Sequence, residues 1–242
     1  MSFRLFTILY ALVLAVETYA NLTRNASVQF FSKPLLMPVL IVYYATGARK
    51  IAAVCKYTIV AALVFSWFGD VLLLIDKYAA NSFFIYGLVA FLIAHIFYIF
   101  YFWKIRRLNR LEKLPNPLIF VLIAAYSLTL FGIVAPHVKN LLVPVGVYAL
   151  VISTMLGASF AAFDLKRQNF GVIAVAGTLV FIVSDSILAI NRFVAPFAFA
   201  SVFIMLTYAI AQALITEGSL RNLREINLTQ RRGDAKQLRT EN

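Results

Sequence analysis

FSWFGDVLLLI, residues 65–75, is apolar at every position but a serine, a glycine and Asp70. The run extends back to residue 54, giving a segment of the length, about 20 residues, that a helix needs to cross the roughly 30 Å hydrocarbon layer of a bilayer. The stretch therefore reads as a membrane span that carries a carboxylate. Seven further segments share its character, so that the expected spans are 3–20, 34–47, 54–75, 83–103, 117–134, 141–161, 170–190 and 195–216. The composition agrees: 62% of residues are hydrophobic and 13% charged, and the mean hydropathy is +0.87, too apolar for a water-soluble surface.

The fold class is an all-α integral membrane protein, a bundle of about eight transmembrane helices. Connections are short, which puts residues 1–217 in one transmembrane domain and leaves 218–242 as a basic cytoplasmic tail. The second span is short, and Pro34 and Pro38 near its start suit a helix entry or a kink. The first span runs into Glu17 and Asn21 without an A-x-A-like cleavage site, which favours a retained span over a cleaved signal peptide.

A net charge of +12 raises the question of a nucleic-acid partner, but its distribution argues for a membrane. With a cytoplasmic N-terminus, 17 of the 22 Lys and Arg fall on the cytoplasmic side, among them Arg49, Lys50, Lys56 and the six of the tail. Arg24, Lys33, Lys77, Lys139 and Arg192 fall on the other. The positive-inside rule then places both termini in the cytoplasm, with the tail against anionic headgroups. No nucleic-acid partner is expected. Cys55 is the only cysteine, and no Cys/His group has zinc spacing; neither metal nor cofactor is expected.

Inside the spans two carboxylates stand out, Asp70 in the third and Asp185 of FIVSDSILAINRF in the seventh. A carboxylate within a membrane helix costs roughly 2.5–3.5 kcal/mol on insertion scales, so such residues usually face the bundle interior. FGDVLLLIDKY and VSDSILAINRF align without gaps, with Asp70 on Asp185 and Asp76-Lys77 on Asn191-Arg192. An offset of four spans preserves orientation, so the alignment suggests two parallel four-helix halves that bring the aspartates together at one depth. Two carboxyls in a poorly hydrated site do not both ionise easily, which supplies an acid and a base from one residue type. Both are expected about 7–9 Å below the helix ends at 1.5 Å per residue.

Cations gather near the same mouth. Lys33 and Arg192 are candidate phosphate contacts, with Asn191 and Glu17 beside them; for Lys77 snorkelling to the interface is the favoured reading. Deeper, His95 and Tyr98 share a face of the fourth span, and Tyr208 and Gln212 a face of the eighth. Helix-to-helix bonding competes with substrate contact for these four.

KPLLMP (33–38), SWFGDVLLL (66–74), GLVAFLIAHIFYI (87–99), VSDSILAINRF (183–193) and TYAIAQALI (207–215) together resemble the YhhN-type lysoplasmalogenase family of membrane proteins, over nearly the whole chain. The paired GD and SD motifs are the specific part. The resemblance implies hydrolysis of the vinyl ether of a lysoplasmalogen to a fatty aldehyde and a glycerophospho-ethanolamine or glycerophospho-choline. It implies Asp70 and Asp185 as the acid/base pair and a lysophospholipid drawn from the membrane as partner. Ser184 and Ser186 flank Asp185 with donors suited to a carboxylate, which leaves Asp70 as the expected acid.

Three other classes compete, one of them a non-catalytic lipid-binding or structural membrane protein, which substrate turnover would rule out. Paired intramembrane carboxylates also serve proton-coupled transporters, whose mark would be a Gly- or Pro-broken helix in both halves; spans three and seven have none. An intramembrane aspartyl protease has a G-x-G-D motif, but here Trp67 stands at the first glycine and no Pro-Ala-Leu occurs.

Overall fold

The computed structural model describes residues 1–49, 53–79 and 83–240, side chains at 53, 54, 79 and 230–240 excepted. Of the basic residues counted above, Lys50 lies outside the described residues. The described chain is all helical: α1 (Phe3–Leu22), α2 (Ala26–Gly47), α3 (Ala53–Ala79), α4 (Phe84–Leu108), α5 (Pro117–Val134), α6 (Leu142–Ala162), α7 (Asn169–Ala189) and α8 (Ala200–Thr240). Each of the eight contains a segment long and apolar enough to cross a membrane.

The second helix departs from its expected start. Asn25 caps it by accepting from the Val28 amide at 3.2 Å, so α2 begins eight residues before 34 and both prolines lie within it. Proline lacks an N–H, so Pro38 leaves the carbonyl of Pro34, four residues back, without its helical donor. The indole N–H of Trp67 on α3 fills that place at 2.9 Å. Lys33 is consequently a residue within a helix, not one that precedes it.

The far end of α7 departs in another way. It continues as a π-helical turn over Ile190–Val194, a wide turn of a kind common at functional sites. It stops where Ala195, ahead of Pro196, turns extended. At the other end of the chain α8 runs straight through the expected boundary at 217, and Ser219, Leu220, Asn222 and Leu223 are buried.

Neighbours in sequence pack as pairs, α1 on α2, α3 on α4, α5 on α6 and α7 on α8. The halves close where α4 meets α6 and where α8 meets α1 and α2. Gly177 permits the close approach of α7 and α8, since a Cβ there would stand 2.7 Å from the Ile215 amide nitrogen. Helix α5 is the outlier: Val134 alone among its residues is buried, and it rests on α6 and the π turn. The start of α1 and the middle of α8 meet the same end of α2, through Met1 to Thr46 at 3.0 Å and Arg224 to the Gly47 carbonyl at 3.2 Å.

Candidate active site

Away from the termini the bundle holds an open-mouthed cavity of about 330 Å³, lined by Glu17 and Asn21 of α1, Gln29 and Lys33 of α2, Asp70, Asp76 and Lys77 of α3, Asp185 of α7, Asn191 and Arg192 of the π turn, and Tyr208 of α8. Asp70 and Asp185 thus open into one space, as their alignment anticipates. Each stands nine residues before the end of its helical segment, Ala79 or Val194, about 13 Å at 1.5 Å per residue. This corrects the expected 7–9 Å: both helices run several residues further than hydropathy alone marks, because the added turns carry polar groups that face the cavity.

Asp70 is 2% exposed. Tyr208 donates to one carboxylate oxygen at 2.9 Å, and the Lys33 ammonium lies 3.9 Å from the other. The neighbouring Gly69 admits the ring of Phe91, which a Cβ would meet at 2.5 Å; that ring forms a wall of the cavity. Asp185 is held differently, by Tyr148 of α6, whose hydroxyl donates at 2.5 Å. Ser184 instead gives its hydrogen bond to the Ile204 carbonyl and Ser186 to that of Ile182. The serines beside Asp185 satisfy helix carbonyls and do not supply the donors that adjacency suggested.

A polar network covers the mouth. Glu17, fully buried, accepts from Asn21 (2.7 Å), Gln29 (2.9 Å) and Ser32 (2.5 Å). Lys77 donates to Gln29 (2.8 Å) and to Asn21 (3.3 Å), and so turns into the cavity where snorkelling was expected. Arg192 pairs with Asp76 at 3.2 Å and lies over the Phe84 ring, with about half its side chain exposed. Lys33, Lys77 and Arg192 thus present three cations to a space that also holds Glu17, Asp70, Asp76 and Asp185. Among the described residues no group of three or more His, Cys, Asp or Glu is arranged to hold a metal ion.

The deeper candidates divide. Tyr208 reaches Asp70, but Tyr98 donates to Gln212 at 2.5 Å and Gln212 to Ser66 at 3.0 Å, a bond set joining α4, α8 and α3 behind the cavity. His95 is buried, with no hydrogen bond to either ring nitrogen, and packs edge-on against Tyr148 and Phe181 at 5.4 and 4.9 Å between ring centres. These three do not line the space between the aspartates.

Tyr148 escaped the sequence reading, as did Gln29, Asp76 and the cavity-facing role of Lys77. A signal for Tyr148 exists. It precedes Asp185 by 37 residues, the interval by which Lys33 precedes Asp70, so the internal alignment carried back one helix lands on it.

The chain is similar to known proteins over most of its length. The model of the YhhN family matches residues 28–219. Lysoplasmalogenase TMEM86B of Rattus norvegicus is 33% identical over 140 residues, 57% of this chain and 53% of the relative. Its Mus musculus counterpart is 32% identical over 162 residues, 66% and 62% of the two chains. Lysoplasmalogenase TMEM86A of Homo sapiens is 29% identical over 164 residues, 65% and 62%. The matched part therefore spans between half and two thirds of these relatives. No solved structure matches the chain.

Proposed function

We propose that this chain, which belongs to the YhhN family and whose relatives are named lysoplasmalogenases, is a membrane hydrolase that cleaves the vinyl ether of lysoplasmalogens. The observation that carries the reading is the pair Asp70 and Asp185 facing one cavity lined by charged side chains inside an apolar bundle.

Vinyl ether hydrolysis starts with transfer of a proton to the alkenyl carbon beyond the one bonded to oxygen. The π electrons form the new C–H bond, and the positive charge that results is shared with the ether oxygen as an oxocarbenium ion. Water then adds to the carbon next to oxygen and gives up a proton to a carboxylate. The hemiacetal hydroxyl then gives its proton to the carboxylate that supplied the first one as the C–O bond to the glycerol breaks, the glycerol oxygen takes the proton that the other carboxyl had accepted from water, and aldehyde and glycerophospho-alcohol leave; one water is consumed overall and both carboxyls are restored. Glycosidases meet a comparable cation with two carboxyls in unequal surroundings.

The surroundings are unequal here as well. Each aspartate accepts from a phenol, Asp70 from Tyr208 and Asp185 from Tyr148, but among the described residues only Asp70 has a lysine within 4 Å, Lys33 at 3.9 Å. A cation nearby suits the member that carries charge, and its absence suits the one that carries the proton. This reverses the assignment made on the flanking serines: Asp185 is the proton donor, and Asp70 stabilises the cation and takes the proton from water. At about 13 Å below the helix ends, the reacting bond lies too deep for a phosphate left at the membrane surface. The headgroup therefore enters the protein, where Lys33, Lys77 and Arg192 line the way. Both termini lie in the cytoplasm, and the cavity opens to the opposite leaflet.

The test is aldehyde release by the purified protein from a lysoplasmalogen and from the matching saturated alkyl lysolipid. Turnover of the vinyl ether alone is expected; equal turnover of both would remove the alkene-protonation chemistry, and turnover of neither would remove the hydrolase reading.

A further inference from the structure

Asp185 faces two hollows. Beside the polar cavity runs an apolar groove between α5, α6 and α7, walled by Leu130, Phe131, Val145, Ala149, Ile152 and Ile182. The two spaces share Phe84, Asp185 and Leu188. We propose that this groove holds the first part of the substrate's hydrocarbon chain, which slips in sideways from the membrane past α5. The inference rests on the hydrolase reading above and assigns the chain subsite within it.

The bond broken joins a polar head to an apolar chain, so its place is at a boundary between a polar and an apolar space. Asp185 stands at such a boundary. With the glycerophosphate among Lys33, Lys77 and Arg192, the chain leaves the reacting carbon on the groove side, where burial of methylenes favours it. The polar cavity offers less of this, since a chain placed there lies against four carboxylates and three cations.

Helix α5 supplies the entrance. Few of its residues are covered by protein, and its polar ties to the bundle among the described residues are two side-chain hydrogen bonds, Tyr126 with Ser186 of α7 at 2.7 Å and Ser127 with Ser153 of α6. The first closes the side of the groove one residue from Asp185, and the second crosses its far end. From Tyr148, level with Asp185, to Ser153 is five residues, about 7 Å of helix. The groove thus reads the first few methylenes, while the rest of a long chain lies beside α5 in the membrane.

The test fills the groove and leaves the headgroup path untouched. Ala149→Phe should raise the Kd for a long-chain saturated alkyl lysolipid at least 10-fold, measured in detergent micelles of fixed composition. The affinity for chainless glycerophosphoethanolamine should change less than 3-fold. Leu130→Trp, which narrows the groove from the opposite wall, should do the same and serves if Ala149→Phe fails to fold. Equal weakening of both ligands, or of neither in a variant with wild-type melting temperature, would overturn the assignment. Because the alkyl lysolipid is not cleaved, its binding reports on the groove separately from turnover: a wild-type protein that binds it but releases no aldehyde from the vinyl ether defeats the hydrolase reading and leaves the groove result standing.

Discussion

Tyr148 donates to Asp185 at 2.5 Å from 37 residues earlier in the chain. At the same interval Lys33 approaches Asp70 at 3.9 Å. The two halves hold their carboxyls from corresponding helices but with different chemistry, a phenol in one and an ammonium in the other. Since Tyr208 gives Asp70 a phenol as well, the nearby lysine is what sets the two aspartates apart, against the order that the serines beside Asp185 suggested.

Tyr148→Phe removes the hydrogen bond to Asp185 and keeps the ring that packs on His95. Loss of a hydrogen bond to a charged or strongly polar partner costs about 1.5–3 kcal/mol, a roughly 10- to 100-fold fall in kcat if the bond orients the proton donor. KM should stay near that of the wild type, because the phenol lies away from the cations. Steady-state aldehyde release checks it; a lowered melting temperature with unchanged kcat would reduce Tyr148 to a structural tie.

Arg192→Ala and Lys33→Met should part company. Arg192 is half exposed and bound to Asp76, so its loss removes attraction for a phosphate in ground and transition states alike and raises KM with kcat largely kept. Lys33, beside Asp70, should lower kcat as well. An unchanged KM in Arg192→Ala would return that residue to a purely structural pairing.

Trp67→Phe leaves the Pro34 carbonyl without its indole donor. A polar group left unsatisfied in a buried setting costs about 1–3 kcal/mol, seen as a lower melting temperature in detergent. In a Pro38→Ala background the helix regains an N–H for that carbonyl, so the same change should cost measurably less, a coupling that a double-mutant cycle reads. Additive losses would contradict the pairing.

The fold was legible because a bilayer imposes length and apolarity on every crossing helix, and the apolar runs from Pro117 and Leu141 onward coincide with α5 and α6 within a residue or so of the expected bounds. Hydropathy fails where a helix turns polar groups inward. It cut α2 at Pro34, because Gln29, Ser32 and Lys33 read as a loop, although all three face Glu17 or Asp70. It cut α3 at residue 75, short of the cavity-lining Asp76 and Lys77. The aspartates themselves were legible as carboxylates too costly to bury idly. Their partners were not, because Tyr148 is one of 12 tyrosines, and which of them meets a carboxyl depends on the packing of α6 against α7.

The proposed orientation rests on the 17 of 22 basic residues that a cytoplasmic N-terminus puts on one side. In a Cys55→Ser background, Asn140→Cys should react with a membrane-impermeant thiol reagent from outside and Gly233→Cys only after permeabilisation. Labelling of both from one side would overturn the topology.

Asp70 and Asp185 are proposed to act as one acid/base unit. Asn keeps the shape of Asp and removes a cost of burial, so both variants should insert and fold, Asp185→Asn melting at or above the wild-type temperature and Asp70→Asn giving back part of that gain through the loss of its pairing with Lys33. Removing one member of a general acid/base pair typically costs about 10²–10⁴ in rate, and residues acting as a unit are not additive. The decisive measurement is aldehyde release per folded molecule by Asp70→Asn, Asp185→Asn and the double variant, alongside their melting temperatures. The account predicts a loss of that size in each single variant and little further loss in the double; a folded single variant with wild-type turnover would contradict it.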